Sequence, residues 1–280
     1  MDVQAYISER TPLVDRELEA FLPPASQEPR SLHEAMRHLV FPGGKRIRPL
    51  FAMAAAEAIG ASPEQALPVG VAVELIHTYS LIHDDLPCMD DDDLRRSRPT
   101  VHVAYGEAVA VLAGDALLTA AFEVVSAAAG SHGAERAVAA IRELARVAGA
   151  SGLVGGQIDD LAFDRDKHSV AALEFIHERK SAALIAGAIA AGAGIAGADE
   201  ALCERLRRFG YEVGVAFQIA DDLLDAEDDG PCSLVTVLGS DAARQRAEAL
   251  LGTALGRVED LGEPAEPLRE LARYAVRRDR

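Results

Sequence analysis

The chain has 280 residues, with 28 Lys+Arg against 45 Asp+Glu, and a formal charge of −17. Hydrophobic residues make up 49%, enough for a sizeable core, which excludes a disordered chain. The acidic balance excludes a broad nucleic-acid footprint, which needs a basic face. Cys88, Cys203 and Cys232, with no CxxC pair among them, exclude a disulfide framework and a zinc ribbon.

The N-terminal stretch MDVQAYISERTPLVDRELEA is acidic and polar, not basic and then apolar, so no secretory signal is read and a cytoplasmic protein is expected. Ala, Leu, Glu and Arg dominate every segment, and strand-like alternation with hairpin turn pairs is absent. Breaks fall at Pro23-Pro24, Pro42-Gly43-Gly44, Ser62-Pro63, Pro87, 131–133, 197–199, Gly230-Pro231 and 262–267. Long helices joined by short connections predict an all-α bundle, mostly antiparallel, as one domain over residues 1–280.

The first chemical signal is FPGGKRIRP at 41–49, a glycine turn followed by Lys45, Arg46 and Arg48. It is not a Walker loop, but a glycine-rich turn feeding a helix is a good anion cradle, or else an ordinary basic turn. Lysine is used only at Lys45, Lys167 and Lys180, so a retained lysine suggests a need for a compact ammonium.

Next comes LIHDDLPCMDDDD at 81–93, an apolar helix ending in paired aspartates. Asp84 and Asp90 would point apart on an unbroken helix, but Pro87 interrupts the hydrogen-bond ladder between them and could swing Asp90 back. His77, Ser80 and Asp84 share one helical face, and Arg95 and Arg96 follow closely. This grouping reads either as a surface salt-bridge network or as a grip on a polyphosphate, with Mg²⁺ on one side and guanidinium forks on the other.

Ala182 to Ala198 carries no charge for 17 residues. Its Ala and Gly content predicts a buried helix packed through small residues, not a membrane span. Its Gly192, Gly194 and Gly197 match a GxGxxG spacing without the strand that a nucleotide fold needs, so they read as composition.

The last signal is FQIADDLLD at 217–225, where Gln218, Asp221, Asp222 and Asp225 line one helical stripe. Unpaired, that stripe repels itself, so a cation is expected over it unless it is a solvated face. Two acid clusters on different helices could face each other across one cavity.

Taken together, these segments resemble the trans-isoprenyl diphosphate synthases, most closely the bacterial farnesyl diphosphate synthase type. The match runs through LHEAMRHLVFPGGKRIRP, IHTYSLIHDDLPCMDDDDLRRSRPTVH, GEAVAVLAGDALL, GGQIDDL, HERKSAAL and FQIADDLLD in that order. The resemblance implies the isoprenoid-synthase bundle around a central cavity, a homodimer, and Mg²⁺ bridging the aspartate motifs to an allylic diphosphate. Asp84, Asp85 and Asp90 would form the first motif, and Asp221, Asp222 and Asp225 the second. Asp160 would join the metal set, and Arg95, Lys180 and Gln218 would assist on the allylic diphosphate. Gly44, Lys45, Arg48, His77 and Arg96 would bind isopentenyl diphosphate, and Gln157 and Ser181 would line the site. In this family a bulky residue five positions before the first aspartate accompanies short products. Tyr79 thus implies farnesyl diphosphate, with Ser80 beside it one turn before Asp84.

The chain departs from the family pattern twice. Ser97 stands where the family usually has glycine, a change expected to matter little. After Asp225 the loop is shorter than usual and lacks its glycine-lysine pair: from Asp221 to Asp241 there are seven acids and no Lys or Arg. The C-terminal Arg277, Arg278 and Arg280 are candidates to replace those cations. Three readings stay open: an active short-chain synthase making farnesyl, geranyl or geranylgeranyl diphosphate; a non-catalytic partner subunit; and a terpene cyclase, which would not need Lys45, Arg48 and Arg96.

Overall fold

A computed structural model describes residues 1–163, 169–224 and 233–277. Fifteen α-helices follow one another among the described residues: α1 Val3–Phe21, α2 Arg30–Val40, α3 Ile47–Ala58, α4 Leu67–Asp84, α5 Val101–Tyr105, α6 Glu107–Ala127, α7 Ala129–His132, α8 Ala134–Ala148, α9 Leu153–Leu161, α10 Val170–His177, α11 Ala183–Ala196, α12 Glu200–Leu224, α13 Leu234–Leu238, α14 Ser240–Arg257 and α15 Glu266–Val276. The all-α expectation is met. One π-helical turn, Glu178–Ala182, joins α10 to α11.

The Ala-Gly segment forms the middle of the bundle. Within α11 every residue except Gly194 and Ala196 is buried, and the helix packs against α3, α4, α8 and α12. Its small residues allow backbones to meet: a Cβ on Gly192 would lie 2.6 Å from the Ala52 carbonyl oxygen. A Cβ on Gly210 of α12 would lie 2.5 Å from Ala186 Cα. Replacing these hydrogens with methyl groups would force the helices apart in a close-packed interior. The helix stops at Gly197, whose φ of 116° is costly for any side-chain-bearing residue.

Two helices, 63–84 and 107–132, are long and apolar enough to cross a membrane by length and composition. The first is mostly buried within the bundle, whereas only a third of the second is covered. Its uncovered face carries Val111 and Leu112, exposed by 40% and 59%.

Among the described residues, the strands are confined to a small hairpin. Leu94–Arg95 (β1) and Arg98–Pro99 (β2) pair antiparallel, turning through Arg96 and Ser97 at φ 54° and 60°. Two consecutive left-handed residues make the tight turn that suits twisted strands, and glycine adopts it most easily. Sequence reasoning missed this turn because neither residue advertises it. It also corrects the expectation for Ser97, because a serine held there pays a backbone cost that glycine would not.

Candidate active site

Pro87 acts as expected. Helix α4 ends at Asp84, and the chain folds back so that the Asp90 amide donates to the Asp84 carbonyl at 2.8 Å. The Asp90 charge now bears on the Asp84 carboxyl. Burial, followed by the like charges of Asp90 and Asp85, pushes the Asp84 carboxyl up to about 6 against the pull of Lys180 and Arg95. Burial also raises Asp90, with Asp160 and Asp92 adding to it.

A cation lies among these acids. The Lys180 ammonium is ion-paired with Asp160 and interacts with Asp84 and Asp90. Burial works against its charge, but those three carboxylates outweigh it and hold the lysine protonated. Lys180 reaches this position because it sits on the π-helical turn, and that turn lies directly on α9. A Cβ on Gly156 of α9 would come 2.7 Å from Lys180 Cα, so only glycine admits the contact. Gly156 carried no chemical signal in the sequence. The glycine pair opening GGQIDDL, inside a helix, was the available hint.

The same turn reaches the second acid motif. Ser181 Oγ donates to Gln218 Oε1 at 2.7 Å, and Gln218 Nε2 donates to Asp222 Oδ1 at 2.9 Å. Lys180 and Ser181, adjacent in sequence, thereby link the first acid cluster to the stripe on α12, on which Asp221 follows Gln218 by three residues. Asp222 has a further partner: its Oδ2 accepts the Leu234 amide at 3.2 Å and so ties α12 to the start of α13. Asp225 and Lys167 lie outside the described residues, as do Arg278 and Arg280. Arg277 pairs with Glu248 at 2.7 Å, so it is not turned toward the acid stripe.

Asp85 takes a different direction from its neighbour. Its Oδ1 accepts from Arg95 Nε at 2.5 Å, and Arg95 Nη2 also reaches Asp92 at 3.2 Å. The carboxylate is 1% exposed, and its Oδ2 is buried with no hydrogen-bond partner. On the α9 side, Gln157 Nε2 is likewise buried without a partner.

The basic turn is divided by the fold. Arg46 sits at φ 53° with its guanidinium buried, bonding Glu74 at 2.6 Å, Asp15 at 2.8 Å and the Val40 carbonyl at 2.6 Å. It is therefore structural, not the second cation of an anion cradle. Lys45 is exposed beside it, and Arg48 Nη1 meets His77 Nε2 at 3.3 Å. Arg96 joins from the hairpin: a Cβ on Gly44 would come 2.9 Å from Arg96 Nη2, so glycine at 44 lets the guanidinium lie on the turn. Burial and then the charges of Arg48, Arg96, Arg95 and Arg46 push the His77 imidazole well below its usual range, so it is neutral. Ser80 donates to the His77 carbonyl at 2.9 Å, and Tyr79 is buried against His83.

The residues present fit a hard divalent cation in kind. Their donors are carboxylate oxygens, one of them orphaned, and a lysine already occupies their midst. Among the described residues, no three acidic, His or Cys side chains converge as a finished metal cage. A cleft of about 550 Å³ lies elsewhere, lined by Arg136, Glu143, Cys203 and Arg207.

Comparison with known proteins identifies the family of the chain. Residues 29–267 match the family described as polyprenyl synthetase. The chloroplastic geranylgeranyl pyrophosphate synthase of Catharanthus roseus is 42% identical, covering 99% of this chain and 82% of that one. The farnesyl diphosphate synthase of Bacillus subtilis (strain 168) is 45% identical, over 80% of this chain and 75% of that one. A crystal structure of a FPP/GFPP synthase from Zymomonas mobilis superposes with a TM-score of 0.90 at 39% identity, covering 98% of this chain and 99% of that one.

Proposed function

From the premise that this chain belongs to the polyprenyl synthetase family and is a trans-prenyltransferase, we propose that it condenses isopentenyl diphosphate with dimethylallyl or geranyl diphosphate to give farnesyl diphosphate. The observation that carries this reading is the join between the two acid motifs through Lys180 and Ser181. A cyclase would have no use for the separate cluster of Lys45, Arg48, His77 and Arg96.

We assign Mg²⁺ to Asp84, Asp85, Asp90, Asp160 and Asp221, with Asp225 outside the described residues; when bound it offsets the charge that builds on the leaving diphosphate. Lys180 and Arg95 donate to that diphosphate, held at their positions by Asp160 and Asp85. Gln218 and Asp222 fix the α12 side. Lys45, Arg48 and Arg96 hold isopentenyl diphosphate together with His77, which is neutral and accepts from the Arg48 guanidinium through Nε2. The allylic carbon–oxygen bond breaks with its electron pair going to diphosphate. The double bond of isopentenyl diphosphate supplies the pair for the new carbon–carbon bond. A proton then leaves to the released diphosphate, which regenerates an allylic product. Apolar helix walls exclude the water that would quench the cation.

The named relatives make products of different lengths, so the choice of farnesyl rests on Tyr79 as the floor below Asp84. One helical turn spans about 5.4 Å, comparable to an isoprene unit. The uncovered apolar face of α6 supports a second copy of the chain docking there as a homodimer. One contiguous core supports a single domain over 1–280. Incubation with dimethylallyl and isopentenyl diphosphates and Mg²⁺, followed by sizing of products, is the test. Fifteen-carbon product is expected; mainly twenty-carbon product overturns the assignment, and inertness with bound Mg²⁺ favours a partner-subunit role.

A further inference from the structure

The residue directly before the first aspartate motif is held from a second helix. A Cβ at Gly114 of α6 would overlap the His83 imidazole, with Nε2 the nearest atom. The ring can lie against the α6 backbone only because position 114 is glycine. There His83 Nε2 donates to the Val111 carbonyl at 3.1 Å, which fixes the tautomer and the ring plane. On its other side the ring meets Tyr79 edge-on, with centroids 5.7 Å apart and planes at 78°. Tyr79 is buried, and among the described residues His83 is its aromatic neighbour.

We propose that His83, seated on Gly114 and Val111, is a positioning residue that locks the Tyr79 ring and thereby sets product length. The inference rests on the reading of Tyr79 as the floor of the hydrocarbon cavity. An aromatic side chain limits chain growth only while its rotamer is fixed; a ring free to swing would yield as the product lengthens. The α4 backbone alone leaves more than one rotamer open to Tyr79. The edge contact with a ring that is itself pinned to α6 selects one. Product length is in this way a property of the α4–α6 contact and not of α4 alone.

The test is the ratio of twenty-carbon to fifteen-carbon product in one reaction, a quantity independent of total turnover. Tyr79→Ala is expected to raise the ratio strongly. His83→Ala is expected to raise it by about 2- to 10-fold, the range that an aromatic edge contact is worth. The double variant is expected to go no further than Tyr79→Ala. Gly114→Ala, which displaces the ring without altering α4, is expected to move the ratio by a comparable factor and serves where His83→Ala folds poorly. A wild-type ratio in both His83→Ala and Gly114→Ala, with Tyr79→Ala still lengthening the product, overturns the positioning role and leaves the Tyr79 reading intact. Multiplying effects in the double variant also overturn it. An unchanged ratio in Tyr79→Ala overturns the floor assignment itself.

Discussion

Lys180 is ion-paired with Asp160, and its ammonium also faces Asp84 and Asp90, so a side chain of the protein balances the acids of the first motif. Crowded carboxylates in a partly buried site would otherwise repel or protonate. When Mg²⁺ and an allylic diphosphate arrive, the lysine can exchange its carboxylate partners for phosphate oxygens. Lys180→Ala is therefore expected to lower kcat/KM by about a hundredfold or more at saturating Mg²⁺. Lys180→Arg should recover only part of it, because a planar fork does not replace a compact ammonium. Steady-state kinetics with varied allylic substrate checks both.

The raised Asp84 carboxyl makes stability depend on pH with a definite sign. Its value rises from 3.8 to about 6 on folding, so the folded protein binds this proton more tightly than the unfolded chain. Its contribution is thus favourable at acid pH and is lost as pH climbs from about 4 through 6. In EDTA, Asp84→Asn should flatten the fall in melting temperature across that window relative to wild type. Added Mg²⁺ should stabilise the wild type more at about pH 8 than at about pH 5, since a ligand carboxyl must first lose its proton. Equal slopes for variant and wild type in EDTA would reject the assignment.

Adjacent cations in the basic turn should behave oppositely. Arg46 is buried and bonded to Glu74 and Asp15, so Arg46→Ala strands a buried carboxylate and should cost about 3–5 kcal/mol of stability. Lys45 is exposed, so Lys45→Ala should leave the denaturation midpoint near wild type and raise KM for isopentenyl diphosphate. Urea titrations alongside kinetics separate the two.

Ser97 holds a left-handed conformation at φ 60° in the hairpin that presents Arg95 and Arg96. Ser97→Gly should remove that backbone penalty and stabilise the protein by about 1 kcal/mol. The expected readout is a higher melting temperature with unchanged activity.

The open face of α6 gives the last expectation. Leu112 is 59% exposed, and a charge there would oppose docking of a second apolar face. On the proposed homodimer through this face, Leu112→Glu should halve the mass measured by sedimentation equilibrium, while the helical circular dichroism signal persists; an unchanged mass rejects that interface.

Much of this was legible in the amino-acid order. Long Ala- and Leu-rich segments between proline and glycine breaks specify helices, because propensity and periodicity act locally. The buried Ala-Gly helix is legible in composition, the fold-back at Pro87 in the ladder a proline breaks, and the acid stripe on α12 in spacing. Legibility failed where a residue's role depends on what another helix brings to it. Arg46 and Lys45 are neighbours in sequence, yet one is enclosed by Asp15 and Glu74 and the other faces solvent. Asp84 and Asp85 are likewise adjacent, but Arg95 draws Asp85 away while Lys180 faces Asp84. Gly156 and Gly114 look like ordinary helix interruptions until a backbone and a ring arrive against them. Sequence determined which groups the protein carries and the elements they stand on; tertiary packing decided their charge state, partners and direction, since burial and long-range Coulomb contacts exist only once distant segments meet.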